Sequence, residues 1–265
     1  MINGRILVIA GSDSSAGAGI QADLKTAQAF GVYAQTAITA ITAQNTLGVV
    51  AVQVMPPSLV RAQIKAALDD IGADVIKIGM LGDAAVAAAV ADALDETYLP
   101  VVLDPVMVSA TGARLLDDAA LSILKTRLIP RALLVTPNVP ESRALVGIEP
   151  VNEQSVLDAM DAFTALGAKN VLFKGGHAPP IKEKGEKIIR DILAVDGNFV
   201  AMNAPWQDTK HTHGTGCTLA SAIACELAMG MELTHAVVRA HGFVQQAIYR
   251  APGLGSGNGP LSHKF

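Results

Sequence analysis

The chain has 265 residues, of which 51% are hydrophobic and 17% charged, and its formal net charge at pH 7 is −4. This composition is typical of a folded α/β protein with a large core, and it excludes a disordered or fibrous chain and gives no reason to expect a nucleic acid partner. Since no apolar run approaches the ~20 residues of a membrane-spanning helix, we also expect no membrane partner.

Apolar, β-branched runs alternate with longer helical patterns along the chain, as in βα units around a mostly parallel sheet. Strands are predicted, in chain order, at residues 5–10, 36–41, 75–78, 101–103, 133–136 and 171–173. Helices are predicted at residues 20–30, 58–71, 84–95, 154–166, 218–229 and 233–249. Because no linker or low-complexity stretch divides the pattern, we expect a single domain over residues 1–265.

Three further segments complete the prediction. Residues 189–195 and 199–203 read as a hairpin at one edge of the sheet. The polar segment 177–187 is predicted to be a mobile loop, and the glycine-rich tail 252–265 is predicted to lie over the surface.

The two cysteines, Cys217 and Cys225, both fall in or beside one predicted helix. Eight residues of helix separate two positions by roughly 12 Å, which is too far for a disulfide. Two unpaired thiols suit a reducing compartment, so we expect a cytoplasmic protein.

A polar or glycine-containing group follows each predicted strand directly. Open parallel sheets bind ligands outside the carboxyl ends of their strands, so these groups are expected to line one site. In chain order they include Gly11, Gln44, Met80, Asp104, Asn138 and Lys174. Asp23, on the helix after the first strand, is expected to reach into the same pocket.

The most specific segment is 212–217, which reads Thr-His-Gly-Thr-Gly-Cys and precedes a helical run. Its two glycines allow the backbone amides to converge, and the helix adds the positive end of its dipole, so the turn is suited to a phosphate or an oxyanion. Cys217 lies at the start of that helix, where a thiol is expected to ionise more readily than in free solution. An anion site beside a potential base indicates phosphoryl transfer to a small molecule.

Two further groups suit phosphate chemistry. Asn138 and Glu141 are three residues apart beyond a strand, and on a helical turn they would share a face suited to holding Mg²⁺ through water. Lys174 stands between an apolar strand and two glycines, and it is expected to reach phosphate oxygens. The segment 17–22 matches the dinucleotide fingerprint only weakly, and neither a P-loop nor a zinc-ligand pattern is present.

Taken in order, these motifs resemble the ribokinase-like superfamily, specifically its hydroxymethylpyrimidine/phosphomethylpyrimidine kinase branch of thiamine biosynthesis. The resemblance covers nearly the whole chain and rests on residues 10–23, 42–46, 104–107, 136–138, 174–177 and 212–217. It implies a ribokinase-like three-layer α/β/α sandwich with a mostly parallel central sheet, ATP and Mg²⁺ as cofactors, and a homodimer. The implied activity converts the pyrimidine alcohol to its monophosphate and then to the diphosphate.

Residue roles follow from the resemblance by position. Gln44 would bind the aminopyrimidine ring, and its pocket would be shaped by Gly11, Asp23, Met80 and Met107 or Val108. Residues implied to bind ATP are Asp104, Asn138, Lys174, Thr212, Gly214 and Thr215. Glu141 and Asn138 would hold Mg²⁺ through water.

The same resemblance implies the catalytic roles. Cys217 would take the proton of the hydroxymethyl group. The amides of Gly214 and Gly216, with Lys174, would stabilise charge on the moving phosphoryl group. Two features depart from the family pattern: His211 stands where an asparagine is expected, and the segment 178–187 differs.

Three alternatives remain open from the sequence. A pyridoxal or pyridoxine kinase shares the cysteine turn, although the amide of Gln44 favours an aminopyrimidine. A non-catalytic pyrimidine binder would have no use for Lys174 and the glycine turn. A sugar kinase would need an acidic base at position 217.

Overall fold

The computed structural model describes residues 2–107 and 117–264, and within them the chain forms an α/β structure around one mixed sheet. Its strands are β1 (Arg5–Asp13), β2 (Tyr33–Asn45), β3 (Gly48–Val54), β4 (Val75–Ile78), β5 (Val101–Leu103), β6 (Leu134–Val135), β7 (Val171–Phe173), β8 (Ile181–Glu183), β9 (Glu186–Val195) and β10 (Asn198–Pro205). They lie in the order β10-β9-β7-β6-β5-β4-β1-β2-β3, with β8 paired to β9. The six strands from β7 to β2 run parallel, and β3, β8, β9 and β10 add antiparallel pairs at the two edges.

Helices cover both faces of this sheet. The longer ones are α1 (Gly19–Phe30), α2 (Pro57–Asp69), α3 (Ala84–Leu94), α6 (Val139–Val146), α7 (Glu153–Ala165), α8 (Thr215–Ala228) and α9 (Leu233–Tyr249), with α4 (Asp118–Ile123) and α5 (Ile129–Arg131) joined by a π-helical turn at Leu124–Leu128. None of the helices in the described ranges combines the length and the apolarity needed to cross a membrane.

Alternation along β1 shows how the sequence separates the two faces. Ile6 and Val8 pack into one core with α1, α8 and α9, whereas Leu7 and Ile9 pack into the other with α2, α3 and α7. Since successive strand residues point to opposite faces, an uninterrupted apolar strand is buried on both sides. The predicted three-layer α/β/α arrangement with a mostly parallel sheet is confirmed.

The predicted strands and helices are all present with shifted bounds, but the edges of the sheet differ from the prediction. β2 continues to Asn45 and turns back into β3, which the sequence pattern did not predict. The segment 177–187, predicted as a mobile loop, follows a 3₁₀ turn at Gly175–His177 and contains β8 and the start of β9, so the prediction of a loop is wrong. Charged residues on both strands hid the pattern, because an edge hairpin can be exposed on both faces.

The glycine-rich tail agrees with the prediction only in its first part. Its first part is exposed, but Leu261 is buried and the His213 amide donates to the Gly259 carbonyl at 3.1 Å. Near Thr46, at the tip of the β2–β3 hairpin, the Asn258 amide donates to the Thr46 carbonyl at 2.9 Å. The tail therefore joins the hairpin to the segment that precedes α8.

Candidate active site

A cavity of about 690 Å³ opens at the carboxyl ends of the parallel strands, which is within the usual range for a small-molecule site. Most of the residues singled out from the sequence line it: Gly11, Gln44, Met80, Asp104, Met107, Asn138, Glu141, Lys174, Thr212, Gly214, Thr215, Gly216 and Cys217. Val108 lies outside the described residues. Asp23 does not line the cavity.

The glycine turn forms the N-terminus of α8, which begins at Thr215, three residues earlier than predicted. Gly214 is the N-cap residue and has φ +89°, a conformation that strongly favours glycine. A Cβ at Gly214 would lie 1.9 Å from the carbonyl oxygen of Gly17, so the turn and the loop after β1 are in direct backbone contact. The first turn of α8 therefore lines the cavity, and the amides of a helix N-terminus are suited to bind an anion there.

Cys217 occupies the first turn of α8 and lines the cavity, but its thiol is not activated in the way the sequence predicts. Burial raises the pKa of the Cys217 thiol to about 11, and the carboxyl groups of Asp23 and Asp104 contribute to the rise. The ammonium of Lys77 and the Gly19 amide act in the opposite direction without cancelling it. The expectation of a readily ionised thiol is therefore wrong for the free protein, because desolvation outweighs the helix terminus.

Lys174 lies between two carboxyl groups that line the cavity. Its Nζ donates to Asp104 Oδ1 at 2.7 Å and lies 3.6 Å from Glu141 Oε2. Burial acts to lower the pKa of Lys174, but Asp104 and Glu141 outweigh it and hold the pKa above its ordinary range. A Cβ at Gly216 would lie 3.3 Å from both Lys174 Nζ and Asp104 Oδ2, so the absence of a side chain there leaves the ammonium open to the helix terminus.

Asn138 and Glu141 form a capping box at the start of α6. The Glu141 amide donates to Asn138 Oδ1, and the Asn138 amide donates to Glu141 Oε2, each at 2.8 Å. Burial raises the pKa of Glu141 to about 7, although Lys174 acts to lower it. Because one oxygen of each side chain is already used as a cap, Glu141 keeps one free carboxyl oxygen for a cation.

Asp23 lies beneath the cavity, and the expectation that it reaches into the pocket is wrong. Its carboxylate accepts hydrogen bonds from Lys77 Nζ at 2.9 and 3.0 Å and from the Ser221 hydroxyl at 2.6 Å. All three side chains are buried. The partners lie on β4 and α8, far away in sequence, so the local pattern around Asp23 did not reveal them.

Sequence reasoning missed a second buried pair, Asp13 and His213, which joins the loop after β1 to the glycine turn. His213 Nε2 lies 2.8 Å from Asp13 Oδ2 and 3.3 Å from Gln44 Nε2. The Asp13 carboxylate also accepts from the amides of Ser15, Gly17 and Ala18. An aspartate followed by serine and glycine is typical of such a turn, which is the signal that could have identified Asp13.

These contacts change the ionisation of Asp13. Burial acts to raise its pKa, but the hydrogen bonds from His213 and from Ser15 outweigh burial and lower the pKa to about 2. Asp13 therefore remains a carboxylate at any physiological pH. It fixes the position of His213 beside Gln44.

A register shift in the β2–β3 pairing places Gln44 at the cavity. The shift falls between Ala43 and Gln44. A bulge of this kind changes the direction in which a side chain points. Gln44 is consequently half-buried beside His213, although neighbouring residues of the hairpin are exposed.

Comparisons with known proteins agree with this geometry. Residues 13–262 match the family model described as phosphomethylpyrimidine kinase. The chain is 45% identical to a hydroxymethylpyrimidine/phosphomethylpyrimidine kinase of Haemophilus influenzae, over 98% of this chain and 96% of that protein. It is also similar to the crystal structure of a phosphomethylpyrimidine kinase from Clostridium difficile, with 40% identity, a TM-score of 0.79, and coverage of 94% and 100%.

An ADP complex of Bacillus subtilis pyridoxal kinase has the same fold, with 34% identity, a TM-score of 0.88, and coverage of 98% of this chain and 97% of that one. The family match extends over most of the chain, and it includes the glycine turn, Lys174 and Gln44. The chain therefore belongs to the phosphomethylpyrimidine kinase family.

Proposed function

We propose that this protein transfers a phosphoryl group from ATP to the hydroxymethyl group of 4-amino-5-hydroxymethyl-2-methylpyrimidine, and then a second one to the monophosphate. The observation that carries this proposal is the convergence of an anion site, a buried ammonium and a thiol in one cavity. Lys174, Cys217 and the residues at the start of α8 all line it, and Gln44 lines the same cavity beside His213. The names of the similar proteins support the same substrate.

The residues present fit a triphosphate and Mg²⁺. The Lys174 ammonium and the amides of the glycine turn would hold phosphate oxygens, and the lack of a side chain at Gly216 leaves room for them. Among the described residues no cluster of three or more metal-ligating side chains occurs. Mg²⁺ usually binds through one or two carboxylates plus substrate phosphates, so Glu141 with a nucleotide is a sufficient donor set. When bound, ATP supplies the phosphoryl group and Mg²⁺ offsets phosphate charge.

Cys217 would orient the substrate hydroxyl and, in its thiolate form, would take the hydroxyl proton, so that the oxygen can accept the phosphoryl group that ATP gives up in becoming ADP. Phosphoryl transfer depends mainly on positioning and electrostatic stabilisation, so a small thiolate population is sufficient. The second acceptor is a phosphate, which is already an anion at neutral pH. Cys217 is therefore needed more for the first transfer than for the second.

We also infer a cytoplasmic location, because a reducing compartment suits two free cysteines.

We infer in addition a homodimer formed through the β2–β3 hairpin. β3 is an edge strand, and its outward residue Val50 is 80% exposed. Ile41, Leu47 and Val52 are exposed on the same hairpin. An exposed edge strand can pair with a strand of another chain, and contiguous exposed apolar patches mark interaction sites. Light scattering should give twice the chain mass, and Val50→Glu should give the monomer; a wild-type monomer would refute the inference.

The activity is tested by offering the hydroxymethylpyrimidine, its monophosphate and pyridoxal separately with ATP and Mg²⁺, and identifying the products by mass. We expect diphosphate from the first two substrates, and we expect Lys174→Met to abolish both reactions. Pyridoxal is included because similar structures are pyridoxal kinases. Turnover of pyridoxal alone would overturn the proposed substrate and assign a different acceptor to Gln44.

A further inference from the structure

Lys77 is a buried cation to which the proposed reaction assigns no role. It lies within β4, is 0% exposed, and is held by both oxygens of Asp23, whose carboxylate also accepts from Ser221. A buried ion pair is weak support for stability, because desolvating the charges offsets their attraction. Its place in the fold therefore needs another explanation.

The pair lies directly below the reacting end of the cavity. Ser221 follows Cys217 by one turn of α8, so the two side chains share the helix face that packs on β4. A Cβ at Gly79 would lie 3.1 Å from Lys77 Nζ, and the next residue, Met80, lines the cavity. The ammonium therefore lies against the end of β4, next to a residue that lines the cavity.

Charged groups from four elements face Cys217. They are Lys77 on β4, Asp23 on α1, Asp104 after β5 and Lys174 after β7, together with the amide of Gly19. Burial has the largest effect on the pKa of the thiol and raises it, and Lys77 has the largest opposing effect. The Ser221 hydroxyl, one turn after Cys217 on α8, donates to Asp23 at 2.6 Å, and Asp23 in turn holds Lys77, so the pair is linked to the helix that carries the thiol.

We propose that Lys77 is a positioning residue for phosphoryl transfer, which stabilises the negative charge of the Cys217 thiolate from below, with Asp23 holding the ammonium in place. The pair also explains why Asp23 is buried beneath the cavity and does not line it. This inference rests on the proposed function only where it gives the thiolate a role in phosphoryl transfer. The effect of Lys77 on the ionisation of Cys217 is a property of the protein without substrate.

The test measures how fast iodoacetamide alkylates Cys217 across pH 7–10 in the full chain without substrate, with peptide mass spectrometry to separate Cys217 from Cys225. Loss of an opposite charge a few ångströms from a titrating group typically changes its ionised fraction by about tenfold or more. Lys77→Met should therefore slow alkylation of Cys217 by about tenfold at each pH. Ser221→Ala, which removes a hydrogen bond and no charge, is the matched control and should stay within about threefold, as expected for loss of one hydrogen bond.

A second variant covers the case in which Lys77→Met, with an unpaired carboxylate in the core, does not fold by circular dichroism. Lys77→Met combined with Asp23→Asn removes both charges, and it should still alkylate more slowly than wild type because the cation has the larger effect. Wild-type alkylation rates in a folded Lys77→Met variant, or in the folded double variant, would overturn the role of Lys77. Neither result bears on the substrate assay, so failure of this inference and failure of the proposed function are distinguishable.

Discussion

Replacing Gly214 with alanine tests whether contact between the glycine turn and the loop after β1 is what places the anion site. Gly214 has φ +89°, so alanine there costs about 1–2 kcal/mol of backbone strain. The added Cβ would also lie 1.9 Å from the Gly17 carbonyl oxygen. Ordinary contact begins at about 3.4 Å, so the two segments must separate by about 1.5 Å at this point.

Gly230 provides a matched control for the strain. It lies just beyond the other end of α8 with φ +84°, and a Cβ there meets nothing within 4 Å. Gly230→Ala should therefore lower the free energy of unfolding by about 1–2 kcal/mol and leave kinase activity unchanged. Gly214→Ala should lower kcat/KM by about 100-fold or more, since a displacement of about 1 Å in a site has that effect.

The two variants should be compared by urea unfolding and by initial rates with the hydroxymethylpyrimidine. The role of the contact would be refuted by two results together. The two variants would lose equal stability, and kcat/KM for Gly214→Ala would stay within about threefold of wild type, as expected when the site is not displaced. A large loss of activity in Gly230→Ala would show instead that helix strain alone disturbs the site.

Three further predictions follow from the ionisable groups of the cavity. Cys217→Ala should slow the first phosphoryl transfer by about 100-fold and the second by much less, because only the alcohol must lose a proton in the reaction. Equal effects on the single-turnover rates of the two transfers would contradict this prediction. Glu141 has a pKa of about 7 and binds a cation only when it is ionised. The Mg²⁺ concentration for half-maximal rate should therefore rise by about tenfold for each unit of pH below 7. Glu141→Gln should abolish this trend. The pKa of Asp13 falls from 3.8 to about 2 on folding, which makes the carboxylate form stabilising by about 2 kcal/mol above pH 4. That contribution is lost as the pH falls towards 2, so the unfolding free energies of wild type and Asp13→Asn should converge at low pH, and a constant difference would argue against it.

Much of the site could be predicted from the sequence because it depends on local backbone geometry. A residue that directly follows a strand of a parallel sheet, as Lys174 does, lies at the carboxyl edge of that sheet wherever the strand stands. This is why residues from six segments were correctly expected in one cavity. Asn138 and Glu141 show the limit of such reasoning, since the same spacing describes a capping box and a metal-facing pair, and in the structure they form the capping box.

Ionisation and pairing, by contrast, were decided by residues distant in the chain. The start of α8 alone predicts a readily ionised Cys217, yet desolvation by the surrounding elements raises its pKa. Asp23 appears from its own helix to be a pocket residue, but it pairs with Lys77, which is 54 positions away on a neighbouring strand. The sequence by itself determined the family, the layers and most of the residues that line the cavity, because these follow from local periodicity and motifs. Only the tertiary structure decided which charges are buried, paired or free to react, because the cost of burying a charge depends on every group packed around it.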